Sequence, residues 1–403
     1  MITYFEFLKS MLLSVFKGSK IYFKWIGILL FITFAGLVSY IQQLDQGLVV
    51  TNLTDEVSWG AYIANFTFLV GVAAAAVLLV IPAYVYKNKA VKEVVLIGEI
   101  LAFCAIVMCL LFIMVDMGRP DRFWHVIPFL GRLNFPQSIL AWDVIVLNGY
   151  LVLNMHIPGY LLYKYYMGQK PTTKYYLPFV FISIFWAVSI HTVTAFLYSG
   201  LGGRGFWNSA ILAPRFLVSA FAAGPLLLMV VFFAINKWYP NFRVKEEVFT
   251  LLKKIATFAF PLNLFLLFCE VFKEFYTDSV HVASAEYLFF GLHGNHMLVP
   301  YMWMAVFCSV GTAVVFLVPK FRDNKKILIP TCFVGFIGIW IEKGMGLIIP
   351  GFIPSPLGSI VEYTPSVNEI FVCLGIWSFG ALLFTVMAKT ALGILSGKIR
   401  HTN

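Results

Sequence analysis

Charge is what this chain lacks most. Of its 403 residues only 12% are Asp, Glu, Lys or Arg, about half the share in a soluble domain. With 61% hydrophobic residues and a mean hydropathy of +0.87, the chain cannot cover itself with water-compatible groups. Its solvent is lipid. Metal-binding patterns are also missing. The six cysteines (104, 109, 269, 308, 332 and 373) lie inside apolar runs and form no C-x-x-C, so neither zinc nor an iron–sulfur cluster is expected. Histidine is scarce, at seven. Only His191 with His296 stand at one depth, which argues against a bis-histidine haem. His293 and His296 have an i, i+3 spacing but no third ligand beside them. Flavin and dinucleotide fingerprints are absent. Residues 1–20 lack a small-residue cleavage site, so no cleaved leader is expected; "ITYFEFLKSMLLSVF" reads as an interfacial amphipathic helix.

What is present is a series of long apolar runs. Ten are long enough to cross a bilayer: 21–40, 61–86, 94–115, 139–163, 175–197, 213–235, 255–275, 299–318, 327–347 and 369–392. Twenty-two of the 29 lysines and arginines fall in the N-terminus, the alternate connections and the tail. The positive-inside rule therefore predicts a cytoplasmic-membrane protein with both termini cytoplasmic. The net charge of +10 is then topological and no sign of nucleic acid. The outer connections are longer, which suggests a docking face.

Ionisable groups inside spans are costly, so they face protein, water or ligand. Asp116, Asp143, His191, Glu270, Lys273, Glu342 and Lys343 are placed near the outer ends, Glu99 and His156 nearer the inner ends, and Asn148 between. Some have a plain structural alternative: Asp116 paired with Arg119, Glu342 with a basic partner, Glu99 hydrogen-bonded to His156. Asp143 and His191 have no basic neighbour in sequence. A carboxylate and an imidazole at membrane depth are a usual acid–base pair for a quinone headgroup. On this reading Asp143 and His191 bind the headgroup and exchange its protons, Asp116 and Arg119 shape the mouth, and Glu270 is the second choice. Glu99, Asn148 and His156 would offer a proton route to the inner side. Asp121, Arg122, Arg204 and Trp207 would form a rim for a partner. With no haem, flavin or metal of its own, the chain would need another subunit to supply or take electrons. An ion-coupled secondary transporter and a haem b anchor are the competing classes.

"DMGRPDRFW", "NFPQSILAWDV", "HTVTAFLYSGLGGRGFWNSAILAPRFLVSAFAAGPLLL" and "EKGMGLIIPGFIPSPLGSIVEYTPSVNE" resemble the NrfD/polysulfide-reductase membrane-subunit family. Within it, the proline-rich last stretch and ten spans look most like DsrP-type subunits of sulfite-reduction electron-transfer complexes. The resemblance implies an all-α membrane protein with two four-helix bundles and two peripheral helices. The corresponding segments are an interfacial segment (1–20), a first peripheral span (21–60), bundles at 61–197 and 198–347, and a last loop, span and tail (348–403). It further implies bound menaquinone or menaquinol, no haem, and a ferredoxin-like iron–sulfur subunit docked on the outer face, among other subunits of one complex.

Overall fold

The computed structural model describes residues 2–127, 130–277 and 282–401. Among them the chain is helical, without a named strand. The helices are α1 (Ile2–Val15), α2 (Lys20–Gln46), α3 (Ala61–Ala74), α4 (Val77–Val80), α5 (Lys89–Asp116), α6 (Ile139–Tyr166), α7 (Leu177–Ser199), α8 (Leu212–Trp238), α9 (Glu246–Thr277), α10 (Val282–Phe289), α11 (Val299–Leu317), α12 (Pro319–Arg322), α13 (Lys325–Lys343), α14 (Met345–Ile348) and α15 (Val367–Leu395). Among the described residues ten stretches are long and apolar enough to span a membrane, and each overlaps one of the ten apolar runs.

Helices are required here because a backbone in lipid must satisfy its own hydrogen bonds. Their starts are written locally. Ser19 caps α2 through the Tyr22 amide, Asn88 caps α5 through Val91, and Ser366 with Glu369 forms a full capping box on α15. Pro158, Pro225, Pro261 and Pro330 sit inside helices, as membrane helices tolerate. One departure from the sequence reading is that the second span is not a continuous α-helix. It breaks at Ala75–Ala76 and ends in a π-helical turn, Ile81–Val85.

Lipid gives apolar faces no reason to associate, so packing detail and buried polar contacts hold the helices together. α3, α5, α6 and α7 pack in a ring, and α8, α9, α11 and α13 in another. The rings meet where α3 and α7 touch α8 and α3 touches α13. α2 packs on α15, which lies against α5. Their crossing is close because both sides are glycine: a Cβ on Gly36 would stand 2.5 Å from the Gly375 Cα. α1 rests across α15 and α6, with Phe7 buried beside Tyr163 and Tyr166.

The connections after α2, α5, α7, α9 and α13 share one end, the long-loop end, and side chains stitch them together. Glu369, wholly buried, accepts from the Asn52 amide at 2.9 Å, the Ser366 amide at 2.8 Å and the Tyr363 hydroxyl. Glu362 accepts from the Met297 amide at 2.8 Å, and the Ser284 hydroxyl donates to the Ile353 carbonyl at 2.7 Å. Where the rings join at this end, Trp59, Tyr198, Trp207 and Phe352 cluster with ring centroids 5.1–5.8 Å apart.

Candidate functional site

α6 buries a stripe that includes Asp143, Val146, Leu147, Tyr150, Leu153, Asn154 and Ile157. α7 buries Val180, Ser183, Ala187, Ile190, His191, Thr194 and Tyr198. Both stripes follow the helical period, and the two helices pack together. Asp143 and His191 are thus core-facing near the long-loop end, each 1% exposed. They do not bond each other. The Thr194 hydroxyl donates to Asp143 Oδ1 at 2.9 Å. His191 Nδ1 lies 3.1 Å from the Ala187 carbonyl, and its Nε2 is buried with no hydrogen-bond partner among the described residues. Above Thr194 by one turn, Tyr198 is hydrogen-bonded to Thr67 of α3. A carboxyl and an imidazole nitrogen held at membrane depth can accept hydrogen bonds and exchange protons.

Asp116 ends α5 with a buried Oδ1 that has no hydrogen-bond partner among the described residues. It is not paired with Arg119. That guanidinium is exposed and grips Asp121 through two bonds of 3.0–3.1 Å, holding the Asp121 carboxyl below its usual range. Asp121 and Arg122 are exposed on the same short helical turn, 120–126. Arg204 stacks on Phe352 at 4.7 Å and reaches its carbonyl at 3.3 Å. Trp207, expected on the rim, is instead wholly buried, and its indole donates to the Leu347 carbonyl at 2.8 Å. It braces the aromatic cluster and offers no surface to a partner.

The inner set is not brought together. Glu99 is 1% exposed, and both its oxygens lack a partner among the described residues. His156 points outward to the Tyr175 carbonyl at 2.9 Å. Asn148, also exposed, bonds back to Val144 at 2.8 Å. The structural alternative, a Glu99–His156 bond, is absent too.

Glu270 belongs to a second cluster, in the other ring. Arg215 forms ion pairs with Glu270 and, at 2.9 Å, with Glu342. Lys343 adds a contact to Glu342 at 2.9 Å, and the Asn263 amide donates to it at 3.1 Å. All five are at most 6% exposed. Arg215, Glu270 and Glu342 line a cavity of about 20 Å³ with Phe206, Leu267 and Met302, room for about one water. Arg215 was missed in the sequence because it stands in the first turn of its span, where an arginine usually faces the headgroups. Thr194 was missed because a lone threonine in an apolar helix carries no signal.

Fold and site together define a polytopic helical membrane protein with ionisable groups buried near one end. The polysulphide reductase NrfD family profile matches residues 49–353, so the chain belongs to that family. It is similar, at 25% identity over 93% of its length and 94% of the relative's, to an Hdr-like menaquinol oxidoreductase integral membrane subunit of Archaeoglobus fulgidus. It is 24% identical, over 89% of the chain and 88% of the relative, to a putative dimethyl sulfoxide reductase membrane subunit of Halobacterium salinarum. It is 23% identical, over 87% of each, to a menaquinone reductase integral membrane subunit of Nitratidesulfovibrio vulgaris.

Proposed function

We propose that this chain is the quinone-reacting subunit of a multi-subunit oxidoreductase, exchanging electrons between membrane menaquinone or menaquinol and an iron–sulfur subunit. The observation that carries it is the buried Asp143–Thr194 pair with the unpartnered His191 Nε2 one turn away. Such groups in a membrane protein of this family suit a ligand that reaches them from lipid. Two relatives are named for menaquinol or menaquinone, which supports that substrate class. Asp143 and His191 bind the headgroup, and Asp116 lies toward the long-loop mouth. The DsrP likeness suggests service in sulfite or sulfate reduction.

A second reading places the headgroup by Glu270, whose Oε1 is also buried without a hydrogen-bond partner among the described residues. The two are separated by quinone retention. The purified chain should carry menaquinone, and Asp143→Asn with His191→Ala should lose most of it while Glu270→Gln keeps it. The opposite pattern moves the site to the second ring.

The long-loop end is assigned to the extracytoplasmic side and both termini to the cytoplasm, following the lysines and arginines. The iron–sulfur partner would rest on the exposed Asp121 and Arg122 turn and on Arg204. Reversing Arg122 and Arg204 together should lower the yield of co-purified partner, more so as salt is raised. An undiminished complex in high salt would remove this rim from the interface.

A further inference from the structure

We propose that the end of the bundle opposite the long loops carries a site for the headgroup of an anionic phospholipid, between segment 81–92, which leads into α5, and segment 160–176, which leads into α7. The two segments hold six lysines, at 87, 89, 92, 164, 170 and 174, and no Asp or Glu. Elsewhere at this end lysines are matched by carboxylates. Lys245 meets Glu93 at 2.6 Å, Lys253 meets Asp323 at 2.7 Å and Lys325 meets Glu246 at 3.4 Å. Glu93, the acid that follows Lys92 in sequence, is thus taken by Lys245. Among the described residues none of the six lysines joins an ion pair. Lys92 and Lys174 lie instead over Tyr84 and Tyr175, 6.0 and 5.0 Å from the ring centroids, and Lys164 donates to the Gln169 side chain at 2.8 Å.

The patch stands at headgroup depth because of how the chain turns. α6 runs on to Tyr166, yet the Tyr175 carbonyl meets His156 at 2.9 Å, ten residues or about 15 Å back along that helix. The Thr172 amide donates to the Tyr160 hydroxyl at 3.0 Å. The connection therefore folds back along α6. Tyr160 packs on Tyr175 and Tyr176, and Tyr176 on Tyr84, with centroids 6.0–6.4 Å apart, so one tyrosine cluster joins the two lysine-bearing segments. Such tyrosines mark the membrane–water interface, and lysines beside them reach the phosphates.

A positive patch without counter-charge at that depth fits a ligand that brings fixed negative charge and an apolar tail. An anionic phospholipid brings both, a zwitterionic one has no net charge, and free phosphate has no tail. Phe179, partly exposed and 4.6 Å from the His156 ring, gives the tail an apolar wall. The patch lies at the opposite ends of α6 and α7 from Asp143 and His191, so lipid binding can be measured apart from quinone turnover.

The test places the full chain in nanodiscs of phosphatidylcholine with increasing phosphatidylglycerol, and reads retained lipid by native mass spectrometry together with the melting temperature. The wild type should retain phosphatidylglycerol in preference to phosphatidylcholine and melt higher with it. Lys92→Gln with Lys174→Gln should weaken that retention about tenfold or more, since each lysine near an anionic lipid contributes several-fold. Lys320→Gln with Lys326→Gln, exposed lysines at the same end, should change it by less than about twofold. No preference in the wild type would overturn the site, and that comparison decides alone if the first variant fails to fold. Equal losses from the two pairs would mean diffuse attraction to the surface and would also overturn it. Displacement of the lipid by millimolar inorganic phosphate, with the melting temperature kept, would overturn the lipid as occupant.

Discussion

Asp143→Asn should lower quinone-dependent turnover by about 10²-fold, the scale of one lost acid–base group. The exchange keeps the shape of the side chain, and the amide oxygen still accepts the Thr194 hydroxyl as Asp143 Oδ1 does now. Folding should therefore be preserved, and thermal unfolding of the purified chain should shift little. The loss should fall on kcat more than on KM, because an amide cannot exchange the proton while it can still sit against the headgroup. Thr194→Val is the companion variant. It removes the donor but leaves the carboxyl, so it should cost less than Asp143→Asn. Wild-type turnover in Asp143→Asn would assign the chemistry to another group.

Arg215→Met should be the most destabilising single change on the long-loop half, at about 3–5 kcal/mol. Arg215 is 4% exposed and bridges Glu270 of α9 to Glu342 of α13. Without it Glu342 keeps Lys343 and the Asn263 amide, while Glu270 loses its ion pair. Breaking a buried pair from one side strands the other charge, which costs far more than the pair contributes. For that reason Arg215→Met combined with Glu270→Leu should be milder than the two single changes added together. A double-mutant cycle on melting temperature measures the non-additivity. Simple additivity would mean that the two side chains do not act as a unit.

The ten spans were legible because lipid imposes a length and hydropathy rule on each segment separately. The helix starts at Ser19, Asn88 and Ser366 could be read for the same local reason. Asp143 and His191 stood out because an ionisable group in an apolar run is costly wherever its partner lies. Their partners were not legible. Thr194 meets Asp143 only because α6 and α7 pack in one register, and Arg215 meets Glu270 and Glu342 only through the ring of α8, α9 and α13. The same gap explains Trp207: its aromatic, loop-borne position suggested a surface, yet Trp59, Tyr198 and Phe352 close over it. His156 and Asn148 shared a plausible depth with Glu99 and Asp143 but sit on the outward face of α6. Depth is written in the sequence; which face meets which neighbour is a property of packing.

Photolabelling with a menaquinone-like azidonaphthoquinone tests the central claim most directly. Labelled wild-type protein should yield cross-linked peptides from α6 and α7 around Asp143 and His191, and excess menaquinone should suppress them. Label confined to α9 and α13 around Glu270 and Glu342, competed in the same way, would contradict the account.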